Sequence, residues 1–327
     1  MTFEFIFYIL LISFGAFFCF YDIRDKVYNA ITFILFLGFS IVVRNAGYDY
    51  DIQTYVDNFY SDDLSFHYIK EPVFWLGSRL LYVLFSSEEM TLVVYDALSF
   101  LILLYVRQKW QLPKYFPFLW LCFFPLILGM QNVYRQYLSY QFILLFLYFS
   151  LVSKSYIVKG IMLLLAALCH NVALLFAPVI YTFNSRKKVS WPFILTSCII
   201  LILLPFAAAF KSKNETGVLG AEIYLLVMLM FLLIYTVLHR GVFNGIFAKF
   251  YYLQFYFIAL TGLSIILMGN AQAKRIGMYC LLLSLIPVVL TIEEKIKNKR
   301  LIRFSFLMLM IIPTFLFSST MSMLLTK

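Results

Sequence analysis

FEFIFYILLISFGAFFCF, residues 3–20, carries a single charged side chain, Glu4, and apolar runs of this kind recur to the end of the chain. Crossing the roughly 30 Å hydrocarbon core of a bilayer takes about 20 apolar residues of helix, so each such run is long enough to span. Of the 327 residues, 63% are hydrophobic and 13% charged, too little polar surface to solvate a chain of this size. Backbone polar groups inside lipid must be satisfied within a helix or a closed barrel, and the runs lack the period-2 alternation of barrel strands. The fold class expected is therefore all-α, a polytopic membrane helix bundle forming a single domain over 1–327. The 3–20 run has no basic leader and no small-residue cleavage site, which reads as a retained span and not a signal peptide.

Twelve spans are expected, at about residues 3–20, 27–43, 90–106, 115–131, 136–152, 157–170, 171–184, 191–210, 221–238, 249–268, 275–292 and 303–323. A net charge of +10 would suggest nucleic acid in a soluble protein, but here the basic residues sort by loop. Seventeen of the 26 lysines and arginines fall in alternate loops, from Arg24 and Lys26 through Arg107, Lys109 and Lys114 to the Lys295–Arg303 cluster. The positive-inside rule makes that side cytoplasmic and puts both termini outside. This register requires the segment 72–87 not to cross. It is short, carries Arg79 in its middle and has acids at both ends, which suits a re-entrant or interfacial helix.

The longest polar stretch lies between Arg44 and Glu71. It holds six acids, Asp49, Asp51, Asp57, Asp62, Asp63 and Glu71, among tyrosines whose rings and hydroxyls suit sugars. Four arginines, Arg44, Arg79, Arg135 and Arg275, sit at or within the outer ends of apolar segments. Guanidinium at that depth calls for a cavity or a partner and is shaped for phosphate oxygens; the plainer reading of any one is an interface anchor. Gln131-Asn132-Val133-Tyr134-Arg135-Gln136 opens a span, where a helix N-terminus favours anions, or is simply a polar turn. His170 and Asn171 interrupt the apolar run 157–183 and place an imidazole at a helix break. Asp96, inside the span 90–106, is either a site residue or the partner of a neighbouring tyrosine or arginine. The five cysteines fall in apolar runs without metal or redox spacing, and no Gly-rich phosphate loop or zinc motif is present.

The order Arg44, Asp51-x-x-x-Tyr55, Glu71-Pro-Val-Phe, Asn132-x-x-Arg135-Gln136 and Ala-x-x-His170 resembles the EpsG and Wzy group of bacterial polysaccharide polymerases, over residues 1 to about 190. Two positions depart from the pattern. Tyr48-Asp49-Tyr50 separate Gly47 from Asp51, so either Asp49 or Asp51 is the equivalent carboxylate, and Asn171 stands where a small residue is usual.

The resemblance implies a polymerase that joins polyprenyl-diphosphate-linked repeat units into O-antigen, capsule or exopolysaccharide chains at the outer face of the bacterial inner membrane. It implies no metal and no cofactor, partners limited to the lipid-linked oligosaccharide, the bilayer, a flippase and a chain-length regulator, and no nucleic acid. On this reading His170 or Asp51 is the base and Arg135, Arg44 and Arg275 hold diphosphate. Asp49, Tyr55, Glu71, Arg79, Asn132, Tyr134, Gln136 and Asn171 line the substrate. The alternatives are a glycosyltransferase using a monophosphate lipid sugar and a flippase; a flippase would call for internal repeats, and none is apparent.

Overall fold

The computed structural model describes residues 2–60, 70–183, 188–209, 220–317, 321, 324 and 325. Asp62 and Asp63, two of the six acids of the first loop, lie outside the described residues. All regular structure among the described residues is helical. Among the described residues six helices are long and apolar enough to cross a membrane: Phe3–Phe20, Asp25–Asn45, Glu88–Trp110, Trp191–Ala209, Gly245–Leu267 and Gly269–Lys295. Pro72–Phe85, Tyr156–Cys169, Asn171–Tyr181 and Glu222–Leu238 are apolar but shorter. The chain divides into two compact units, one of 1–145, 164–171 and 298–327, the other of 146–163 and 172–297.

In the first unit the expected span 115–131 is broken into Phe116–Cys122 and Phe124–Gln131, with Phe123 extended at φ −69° and ψ 135°. Pro125 is the cause, because it has no N–H for the Leu121 carbonyl four residues back and its ring would clash with that carbonyl in a continuous helix. The break frees the Cys122 carbonyl, which accepts from Tyr8 Oη at 2.8 Å and Thr314 Oγ1 at 3.1 Å. Both flanking helices, Phe3–Phe20 and Lys299–Leu316, thus satisfy the group that the break exposed. Close approach is possible because Gly15 faces Phe118, where a Cβ would come within 2.9 Å of the phenylalanine Cβ.

Asp25–Asn45 and Glu88–Trp110 run antiparallel and are pinned at two levels. Asp25 accepts from Arg107 at 2.8 Å near one end. Towards the other, Arg44 meets Asp96 through Nε at 3.0 Å and Nη2 at 3.2 Å and donates Nη1 to the Met130 carbonyl at 3.0 Å. Asp96 also accepts from Ser40 at 2.6 Å and Tyr134 Oη at 2.8 Å. Of the two readings of Asp96, pairing with tyrosine and arginine is what the structure contains. Because Asp25 lies by Arg107 and Arg44 by Asp96, the chain between these helices leaves and returns at the same end. Within it, Pro72–Phe85, of 14 residues, is the one apolar helix of ten or more residues among the described residues, and a single crossing by it would bring the chain back at the opposite end.

In the second unit Gly245–Leu267 and Gly269–Lys295 form a hairpin that also packs on Glu222–Leu238. Gly269 supplies the left-handed residue at its turn, with φ +49°. Residues 171–184, expected as a short span, form a 3₁₀ helix over Asn171–Tyr181. Carbonyls near its C-terminal end accept from Lys159 Nζ (Ile180 O, 3.3 Å) and Lys249 Nζ (Phe183 O, 2.7 Å), cations suited to the negative end of a helix.

The Arg44–Asp96 pair gives a direct energetic expectation. Arg44→Met or Asp96→Leu alone strands a buried charge and should cost about 3 to 5 kcal/mol, whereas the double variant should cost far less than the sum. Thermal unfolding of the full chain in detergent checks this; additive losses would show that the two groups are not coupled.

Candidate functional site

Glu71 stands immediately before Pro72, whose fixed φ suits the first position of a helix. Its carbonyl accepts from Trp75 N at 3.1 Å, starting the Pro72–Phe85 helix, but its side chain does not cap that helix. The carboxylate turns instead to two other elements. The Tyr156–Cys169 helix ends at His170, whose N–H still bonds the Ala166 carbonyl at 3.0 Å. The next N–H, that of Asn171, is released by the break and donates to Glu71 Oε1 at 3.2 Å. His170 Nδ1 lies 2.8 Å from the same oxygen. Glu71 Oε2 accepts from Arg135 Nη1, in the first turn of Tyr134–Val152. The interruption at 170–171, the Pro-started helix and the first turn of Tyr134–Val152 therefore meet on one carboxylate.

Glu71 is only 4% exposed. Burial alone would raise its pKa; the His170 hydrogen bond and charge, the Arg135 charge and the Asn171 N–H outweigh that and bring it from 4.5 down to about 2. Arg135 lies over the rings of Tyr55, 5.1 Å from the centroid, and Trp75, at 5.3 Å, where aromatic faces attract a cation. Its side chain is 24% exposed, so the guanidinium is held but not enclosed.

The other expected site residues divide into groups. Asp49 accepts from Asn132 Nδ2 at 2.6 Å, joining the first loop to the turn before Tyr134. Asp51 is in the first turn of Tyr50–Val56, one helical turn before Tyr55. Arg79 lies one turn beyond Trp75 on the Pro72–Phe85 helix. Arg44, 1% exposed, and Tyr134 belong to the buried Asp96 network, and Arg44 also lies 4.7 Å from the Tyr134 ring. Gln136 donates to Tyr140 Oη at 2.6 Å within its own helix. Arg275 is on Gly269–Lys295 in the second unit. Trp75 was not singled out from the sequence; its spacing four residues after Glu71 on a Pro-started helix puts both on one face. Among the described residues no group of three or more His, Cys, Asp or Glu side chains is placed to hold a metal ion.

The family model described as EpsG family matches residues 25–325. The chain belongs to the EpsG family. No curated protein and no solved structure matches it. The match extends well past the 1–190 region in which motifs resemble the family, so the second unit is part of the family's architecture too. EpsG membership and the apolar helices support a membrane protein of polysaccharide biosynthesis with a polymerase-like, glycosyltransferase-type function.

The depressed Glu71 pKa sets a sign for acid stability in this EpsG chain. A carboxylate with folded pKa about 2 against 4.5 contributes stability that is full above pH 4.5 and lost as pH falls towards 2, about 3 kcal/mol in all. The difference in unfolding free energy between wild type and Glu71→Gln should be full above about pH 5 and shrink as pH falls below 4.5 towards 2. A gap independent of pH, followed by thermal unfolding in detergent, would contradict the assignment.

Proposed function

We propose that this protein is a polymerase that joins polyprenyl-diphosphate-linked repeat units at the outer face of the bacterial cytoplasmic membrane. The observation that carries the reading is the two-sided use of Glu71: one oxygen holds an imidazole and the other a guanidinium. An acid–base group and a cation shaped for phosphate thereby sit one carboxylate apart. EpsG family membership supports the reaction class.

In this reaction a hydroxyl at the non-reducing end of one lipid-linked unit attacks the anomeric carbon of the growing chain. A carbon–oxygen bond forms to the incoming unit. The bond from that carbon to the diphosphate oxygen breaks, and its electron pair leaves with the polyprenyl diphosphate. The hydroxyl proton passes to His170, with Asp51 of the first loop the alternative base. Arg135 meets the charge growing on the leaving diphosphate. One of its N–H groups is committed to Glu71, and a guanidinium has five. Tyr55 and Trp75, both buried, steady Arg135 with their ring faces.

The membrane arrangement in this proposal has twelve crossings, with both termini and the site outside and the lysine-rich loops within. Pro72–Phe85 lies in the outer leaflet without crossing. Its exposed Leu76, Leu80, Val83 and Leu84 give it an apolar side for lipid, and its two ends return the chain to the same side. A flippase delivers the lipid-linked unit and a partner protein sets chain length.

His170→Ala and Arg135→Ala should each leave the protein in the membrane, abolish long polysaccharide and let single lipid-linked units accumulate. Arg135→Lys, which keeps charge but loses the planar fork, should rescue only part of the chain length. Gel analysis of polymer from cells carrying each variant makes the test. Wild-type ladders from both alanine variants refute the reading, and a product extended by exactly one sugar would indicate a monophosphate-sugar transferase instead.

A further inference from the structure

We infer that Glu71 is a positioning residue that fixes the tautomer of His170, holding the ring proton on Nδ1 so that Nε2 carries the lone pair. The inference deepens the proposed function and rests on it for the role of the ring, although the tautomer is decided separately.

The argument is one of donors and acceptors. An ionised carboxylate accepts hydrogen bonds and donates none. With His170 Nδ1 at 2.8 Å from Oε1, Nδ1 must supply the proton, and a neutral imidazole then has its acceptor at Nε2. The carboxylate is kept ionised by its company: Arg135 on Oε2 and the Asn171 N–H, 3.2 Å away on Oε1. Three donors from two chain elements leave Glu71 a single arrangement, and the ring that it holds belongs to the break between Cys169 and Asn171. The same carboxylate holds the Arg135 guanidinium through its other oxygen. A glutamine of the same shape cannot do both jobs. If its oxygen faces Arg135, its NH2 faces both Nδ1 and the Asn171 N–H; the ring must then accept at Nδ1 with its proton on Nε2, and the Asn171 donor is opposed. If its oxygen faces Nδ1, that nitrogen keeps its proton and the NH2 confronts the donors of Arg135. An alanine offers Nδ1 no acceptor at all, so nothing holds the proton there.

Nitrogen-15 spectra of the full chain in lipid nanodiscs, labelled at histidine and recorded at about pH 8.5, above the usual imidazole range, distinguish the two tautomers. His170 is assigned by the resonance that His170→Ala removes, since the sequence holds three histidines. The expected result is Nδ1–H in wild type and in Glu71→Asp, and a clear Nε2–H population in Glu71→Ala. The activity arm uses membranes supplied with polyprenyl-diphosphate-linked repeat units extracted from a strain lacking the polymerase. There E71Q should lose roughly 10²- to 10⁴-fold in kcat, the scale of general-base catalysis, with KM changed only a few-fold. E71D should retain most of the turnover.

An Nε2–H ring in wild type, or a ring still wholly Nδ1–H in E71A, overturns the inference. So does an E71Q enzyme that turns over at the wild-type rate. If E71A or E71Q does not accumulate, the spectra of wild type and E71D decide, and an Nε2–H ring in either sinks it. Wild-type polymerisation by His170→Ala is a different failure: it removes the functional reading of the site while leaving the tautomer result to stand or fall alone.

Discussion

A charge in an apolar surrounding must be met by partners, and in the first unit two carboxylates meet this demand on behalf of everything around them. Asp96 gathers Arg44, Ser40 and Tyr134; Glu71 gathers Arg135, His170 and the Asn171 N–H. Tyr134 and Arg135 are consecutive residues in the first turn of one helix. The buried Asp96 network therefore fixes the start of that helix from one side, while Glu71 draws the next residue to the other. Arg44, with all three guanidinium nitrogens bonded inside the protein, serves the second carboxylate through this linkage: it holds the Met130 carbonyl and Asp96, and so the turn that aims Arg135. The reaction proposed for the site needs an imidazole and a guanidinium at a fixed spacing, and placing charged groups before substrate arrives is the most effective electrostatic help a protein can give.

Much of this was legible in the sequence because membrane chains advertise their exceptions. The apolar runs specify helices, the loop between Arg44 and Glu71 stands out by its carboxylates, Pro72 marks a helix start, and His170-Asn171 marks a break. The break at Phe123 was also written, in Pro125, but was absorbed into a single span because hydropathy averages over a helix and does not register one missing N–H. The 3₁₀ form of Asn171–Tyr181 has no comparable signal. What a sequence cannot carry is long-range pairing. Glu71 and His170 are 99 positions apart, and Arg44 and Asp96 are 52 apart. Nothing in either local pattern says which arginine serves which acid, so the four outer arginines read alike from the sequence, although Arg44 is enclosed and Arg135 partly open.

The second unit is where the residues say least about chemistry. Its motifs do not resemble the family by eye, yet the family match covers it, and its interior is organised by packing: a glycine-turned hairpin, a ring cluster around His239 and two lysines on the end of the 3₁₀ helix. Hydrophobic pattern can be kept while side chains change, so a family resemblance held by packing is hard to see in short motifs and easier for a model of the whole chain.

The central claim is that Arg135, held by Glu71 beside His170, receives the diphosphate of a lipid-linked sugar. A density map of the full-length protein in a lipid nanodisc with a polyprenyl diphosphate bound tests it most directly. The account predicts phosphate oxygens within hydrogen-bonding distance of Arg135, with the Glu71 carboxylate still bridging to His170. Diphosphate density seated away from Arg135, with the Glu71 cluster uninvolved, would contradict it.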